Sequence, residues 1–243
     1  MSRRRSRTDA LDAIARVPFI GHPLSAAARG VRRVAFPGSS RYWEDRYRSG
    51  RSSGPGSEGK LASFKAQALN EFVRAHSIGS VVEFGCGDGS QLALAEYPRY
   101  VGLDVSVSAL RRCIARFASD PTKAFFLYDP RAFSDPEGMI AADLSLSIDV
   151  IYHLVEDRIY ELSMRHLFAA GRRYVIVYSS NVDALGNSPH VRHRRFMTWV
   201  DQNERDWELV ETIPNPHPLA AASDGSPSDF YVFRRRKEAT AMS

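Results

Sequence analysis

Seven short apolar runs punctuate the chain from Ser80 onward: SVVEFG, RYVGLDV, AFFLY, DLSLSIDV, RYVIVYSS, WELVETI and DFYVF. Each is about the length of a strand, and most are apolar at consecutive positions, the pattern of strands covered on both faces. Between them the spacing changes. Residues 60–76 place Leu61, Phe64, Ala68, Leu69, Phe72 and Val73 three and four apart, which predicts an amphipathic helix. Similar spacing predicts helices over Gln91–Tyr97, Ser108–Ala118 and Asp157–Ala170. Strands alternating with helices predict an α/β fold whose sheet is mainly parallel. The last two runs are joined by the polar stretch Pro214–Asp229, so they read as a hairpin at the sheet edge. Upstream, SSRYWEDRYRSGRSSGPGSEGKL is rich in Gly and Ser and reads as a loop entering the first helix. No internal repeat is visible.

Length and charge narrow the class. A chain of 243 residues suggests one domain with additions. Two cysteines, Cys86 and Cys113, exclude a disulfide framework. No run of 18 apolar residues suggests a membrane span, and the arginine-rich head lacks the apolar stretch of a secretory signal. The expectation is a soluble cytoplasmic protein. Up to Pro37 there are eight arginines against two aspartates, a surplus that exceeds the net +5 of the whole chain. The remainder therefore has no basic bias, and the core gives no strong nucleic-acid signal. The organisation expected is a basic extension over 1–36, a lid or cap over 37–78, the core over 79–237 and a tail over 238–243.

The chemistry concentrates at Val81-Val82-Glu83-Phe84-Gly85-Cys86-Gly87-Asp88-Gly89. An apolar strand ends in an acid, and glycines follow at alternate positions. Such a turn lets backbone approach a ligand without a Cβ in the way. The spacing is not the G-x-G-x-x-G of dinucleotide folds, and no Gly-Lys-Ser/Thr follows, which excludes a triphosphate loop. Glu83 would repel phosphate and suits a ligand carrying positive charge. At the end of the next run, Gly102-Leu103-Asp104-Val105-Ser106 offers an acid able to accept both hydroxyls of a ribose.

VVEFGCGDG followed by YVGLDVS resembles the first two motifs of the class I S-adenosylmethionine-dependent methyltransferases, and the resemblance runs from about Ser80 to Phe233. It implies a seven-stranded, mostly parallel, doubly wound sheet whose last strand is antiparallel, here with an N-terminal helical or loop extension. It implies S-adenosylmethionine as cofactor, with Glu83, Gly85, Gly87 and Gly89 lining its methionine half and Asp104 holding its ribose. By the family pattern, Asp129 would accept from the adenine amino group, unless it only forms an Asp-Pro turn.

Methyl transfer to a hydroxyl needs a base, and the fourth run leads into Asp149-Val150-Ile151-Tyr152-His153 at the carboxyl edge of the sheet. His153 is the expected general base, with Asp149 supporting it. Asp149 stands where amine-directed relatives usually carry Asn/Asp-Pro-Pro-Tyr/Phe, and both prolines are missing. The expectation is O-methylation of a small polar acceptor, a carbohydrate or natural-product intermediate. No spacing assigns a metal ligand. Two further segments could meet the acceptor: Tyr42-Trp43 through Gly59 as a lid, and Ser179–Asn181 with Asn187–Phe196, rich in His and Arg. The alternatives are a protein or RNA acceptor, for which the Arg-rich head would be the anchor, and a non-catalytic module that only binds the cofactor.

Overall fold

The computed structural model describes residues 36–186, 188–219 and 225–236, so the expected extension and tail lie almost wholly outside the described residues. The unit described here begins at Pro37. In chain order its elements are α1 (Ser39–Arg48), α2 (Gly59–Ala75), β1 (Val81–Phe84), β2 (Tyr100–Asp104), α3 (Val107–Arg116), β3 (Lys123–Leu127), β4 (Ala142–Ile148), α4 (Asp157–Ala170), β5 (Gly171–Ser179), β6 (Ala184–Leu185), β7 (Arg192–His193), α5 (Phe196–Asn203), β8 (Trp207–Ile213) and β9 (Asp229–Arg235).

Seven strands form one sheet in the order β3-β2-β1-β4-β5-β9-β8. Strands β1 to β5 are mutually parallel, and β9 runs antiparallel between β5 and β8. The expected terminal hairpin is thus β8–β9, with β8 at the edge. Chain order reverses at β1, which pairs with both β2 and β4, and the crevice outside the carboxyl ends of these strands is where such sheets bind ligands.

Strand alternation builds a core on each face. Val81, Leu144, Leu146, Ile176 and Tyr178 pack with Leu69 and Phe72 of α2. Val82, Phe84, Val175 and Val177 pack on the other side with Met164, Leu167 and Phe168 of α4. Glu83 shares the α2 face with Val81, so a carboxylate enters an otherwise apolar layer.

Two sequence expectations are corrected. The aromatic segment read as a loop is the ten-residue helix α1. Its residues Ser39, Trp43 and Tyr47 lie four apart on the face that looks into the crevice. The helix expected over Gln91–Tyr97 is only a 3-10 turn, Leu92–Leu94. Pro98 disfavours helical backbone at Tyr97. Asn70 of α2 also takes the backbone groups a longer helix would have used, donating to the Leu94 carbonyl at 2.9 Å and accepting Glu96 N–H at 2.9 Å. Among the described residues, no helix is long and apolar enough to cross a membrane.

Candidate active site

The turn after β1 is formed by Gly85, Gly87 and Gly89, all at positive φ (+89°, +59° and +74°). All three also leave no room for a side chain, a Cβ on Gly89 coming within 2.9 Å of Phe117 Cε2. A Cβ on Gly85 would come within 2.4 Å of Val150 Cγ2, and one on Gly87 within 2.7 Å of Ser53 Oγ and 2.8 Å of Tyr47 Oη. The turn is tied to β2, for Gly85 and Cys86 N–H both donate to the Leu103 carbonyl and Gly87 N–H donates to Asp104 Oδ2 at 2.9 Å.

A single cavity of about 350 Å³ joins Glu83, Gly85, Gly87, Asp104, Asp149 and His153. Its two strand-end acids are buried, 6% exposed each. Burial pushes the Glu83 carboxyl up to about 7, while the hydroxyl of Tyr100, donating at 2.6 Å, and the Lys65 charge pull it back. Burial likewise raises Asp104 to about 6, opposed by N–H groups of Ser106 and Gly87. Asp104 Oδ1 accepts Ser106 N–H at 2.8 Å, so each oxygen keeps one lone pair for a ligand.

The structure separates the remaining expectations. Gly89 is not in the cavity lining; it turns away against Phe117 and Cys113. Asp129 does not line the cavity either, although its neighbours Tyr128 and Pro130 do. Its carboxylate is half-exposed and accepts the Arg131 guanidinium at 3.0 and 3.1 Å. Asp149 ends β4 in left-handed backbone, φ +60°, a strained conformation for a residue with a side chain. Its Oδ2 accepts Lys65 Nζ at 2.6 Å and its Oδ1 accepts the Tyr152 hydroxyl at 2.8 Å. It has no hydrogen bond to His153 among the described residues and acts on the imidazole through its charge, so the hydrogen-bonded support comes from elsewhere.

That support is the β6–β7 hairpin. His153 Nδ1 lies 3.0 Å from the His190 carbonyl, which can only accept, so Nδ1 carries the proton and Nε2 keeps its lone pair in the neutral ring. The ring meets Trp43 edge-on at 4.9 Å and stacks beside His190 at 5.3 Å. Burial lowers its pKa to about 4, although the His190 carbonyl and Asp149 act the other way. Arg192 and Arg194 both pair with Asp157, Arg192 donating also to the Val155 carbonyl and Arg194 to those of Leu154 and Val155. His193 Nδ1 lies 2.6 Å from the Ser180 hydroxyl.

Helix α1 closes the cavity and is held at both ends. Ser39 N–H donates to Glu156 at 2.8 Å, and its hydroxyl lies 2.6 Å from the same carboxylate. Glu44 accepts the hydroxyls of Ser106 and Ser108 at 2.7 Å each and Ser108 N–H at 3.1 Å, at the start of α3. Ser53 then bonds Asp88 of the glycine turn at 3.0 Å. The sequence reading missed Lys65, Glu44 and Ser39. Lys65 had a signal, a lysine midway between Leu61 and Leu69 on a stripe that otherwise faces the core; the two helix ties had none. Among the described residues, no group of three or more His, Cys, Asp and Glu side chains is disposed to hold a metal ion.

No protein-family model matches the chain. The fold is that of the class I S-adenosylmethionine-dependent methyltransferases. The methyltransferase domain of bacterial CtHen1 superposes with a TM-score of 0.58 at 22% identity, over 73% of this chain and 100% of that domain. The magnesium protoporphyrin IX methyltransferase of Synechocystis PCC 6803, solved with bound S-adenosylhomocysteine, superposes with a TM-score of 0.57 at 14% identity, over 79% of this chain and 93% of that one. Curated relatives are methyltransferases as well. The small RNA 2'-O-methyltransferase of Arabidopsis thaliana is 26% identical over 134 residues, 51% of this chain but only 14% of its own length. The EEF1A lysine methyltransferase 4 of Mus musculus is 26% identical over 190 residues, 70% of this chain and 68% of its own length.

Proposed function

We propose that this S-adenosylmethionine-dependent methyltransferase acts on a hydroxyl oxygen of a small polar acceptor, with His153 as general base. One observation carries the reading: the glycine turn, two buried acids and an imidazole with its Nδ1 tied off all face one cavity. The residues fit the donor. The turn residues Gly85 and Gly87 line the cavity with backbone alone, Asp104 keeps lone pairs for a ribose diol, and Glu83 suits the α-ammonium of the methionine end. Bound there, S-adenosylmethionine supplies an electrophilic methyl group on a sulfonium.

The chain's own residues then orient and take a proton. His153 stays neutral at any pH well above 4, so Nε2 is free to accept. Its low basicity suits late proton transfer, when bond formation to carbon has already made the acceptor oxygen strongly acidic. The lid supports a small acceptor, since α1 lies over the glycine turn instead of leaving an open groove. Three acceptor chemistries among the related proteins, an RNA ribose, a protein lysine and a porphyrin, mean that the fold itself does not name the substrate.

The test is His153→Ala. Turnover of a hydroxyl acceptor should fall about 10²- to 10⁴-fold, while calorimetric binding of S-adenosylhomocysteine stays within about two-fold of wild type. Unchanged turnover would remove His153 from the chemistry. A second reading, transfer to a ribose hydroxyl of RNA, is favoured by the plant relative. It predicts methyl incorporation into short RNA that weakens steeply as salt is raised, and little activity on small sugars.

A further inference from the structure

Lys65 is the buried charge the donor and base roles leave unexplained. It sits on α2 between Leu61 and Leu69, in the row that packs against the sheet, and is 1% exposed. A leucine there would continue the apolar layer, and a buried ion pair generally stabilises a fold no better than well-packed apolar side chains do. Yet Lys65 lines the cavity together with Glu83. Its ammonium has three N–H groups, and Asp149 Oδ2, at 2.6 Å, is the one hydrogen-bond acceptor it meets among the described residues. One flank rests over the Tyr178 ring, 5.4 Å from its centre. Asp149 is engaged on its other oxygen by the Tyr152 hydroxyl, at 2.8 Å.

Resting on the donor reading above, we infer that Lys65 binds the α-carboxylate of the donor's amino-acid end. Glu83 and Lys65 are close enough for the lysine charge to act on the glutamate. A carboxylate and an ammonium lining one cavity match a zwitterion, the acid taking its ammonium and the lysine its carboxylate. The adenosine end, held by Asp104 and the glycine turn, needs no such cation. Lys65 therefore makes the site selective for a sulfonium nucleoside with an intact amino acid over one that has lost its carboxyl group. The strained Asp149 backbone gains a purpose, since it aims the carboxylate that fixes the lysine.

The experiment compares S-adenosylhomocysteine with its decarboxylated form, which keeps the amine, by calorimetry on wild type and on Lys65→Met. Wild type should bind the intact ligand about 10- to 100-fold more tightly. The variant should lose that preference, binding the intact ligand about 10- to 100-fold more weakly and the decarboxylated one within about two-fold of wild type. The double variant K65M/D149N, which removes the pair together and leaves no lone buried carboxylate, should show the same selective loss. Equal losses for both ligands in the double variant, or a preference that survives there, would overturn the assignment. Wild type binding neither ligand would sink the donor reading itself and the inference with it, an outcome distinct from unchanged selectivity.

Discussion

At the scale of single residues, the site is governed by two carboxyls held out of water. Asp104→Ala should weaken S-adenosylhomocysteine by about 10- to 100-fold, the effect of losing one or two charge-assisted hydrogen bonds, as read by calorimetry. Glu83 makes the site sensitive to pH. Its carboxyl is raised from 4.5 to about 7 in the folded protein. Below 4.5 it is protonated whether the chain is folded or not. Between the two values the folded state keeps a proton that the unfolded state releases, so its contribution to stability falls as pH rises through that window and is lost above about 7. Donor binding runs the opposite way, because only the ionised carboxylate attracts an ammonium. Affinity for S-adenosylhomocysteine should fall about tenfold per pH unit just below 7, and Glu83→Gln should leave only the fall that begins near 6, where Asp104 takes its proton. A wild-type binding profile that stays level from pH 5 to 8 would contradict the role given to Glu83.

At the scale of elements, α1 decides access. Its ten residues are too few for a stable isolated helix, so its position depends on Glu44 and Ser39. Glu44→Ala removes three hydrogen bonds at the start of α3 and should speed release of S-adenosylhomocysteine about 5-fold or more, roughly 1 kcal/mol, as read by stopped-flow fluorescence of Trp43. Release at the wild-type rate would mean that the ligand leaves by another route. This element also marks the limit of reading from sequence. The stripe Leu61, Leu69, Phe72 and Val73 revealed α2, and Asp157–Ala170 was legible to the residue, because both bury an apolar face. In α1 the inward residues are Ser39, Trp43 and Tyr47, and the helix is held by Ser39 on Glu156 and by its own Glu44 on Ser106 and Ser108, partners more than sixty positions away, while the Gly/Ser run behind it reads as loop. The opposite error at Gln91–Tyr97 arose because Asn70, a polar residue on another helix, claims that segment's backbone.

For the molecule as a whole, sheet type and the crevice were legible because strand-length apolar runs, a glycine turn and acids at two consecutive strand ends are local signals. The pairing of Asp149 with Lys65, 84 residues apart, and the tie of His153 to the hairpin were not, for each depends on how distant segments meet. The sheet, α2 and the lid all contribute to one cavity, so filling it should stabilise the entire unit. S-adenosylhomocysteine at about 100 times its Kd should add about 2.7 kcal/mol and raise the Tm by about 5–10 °C, in a scan that shows a single transition. The three-residue turn at Leu92–Leu94 carries a last consequence. A full helix there would aim its amide end at the glycine loop and welcome anions; this stub, with Asn70 occupying its backbone, sets up no such field. A phosphate chain at that spot would gain no helix-end attraction and would face the Glu83 carboxylate, so the turn favours ligands that carry no phosphate.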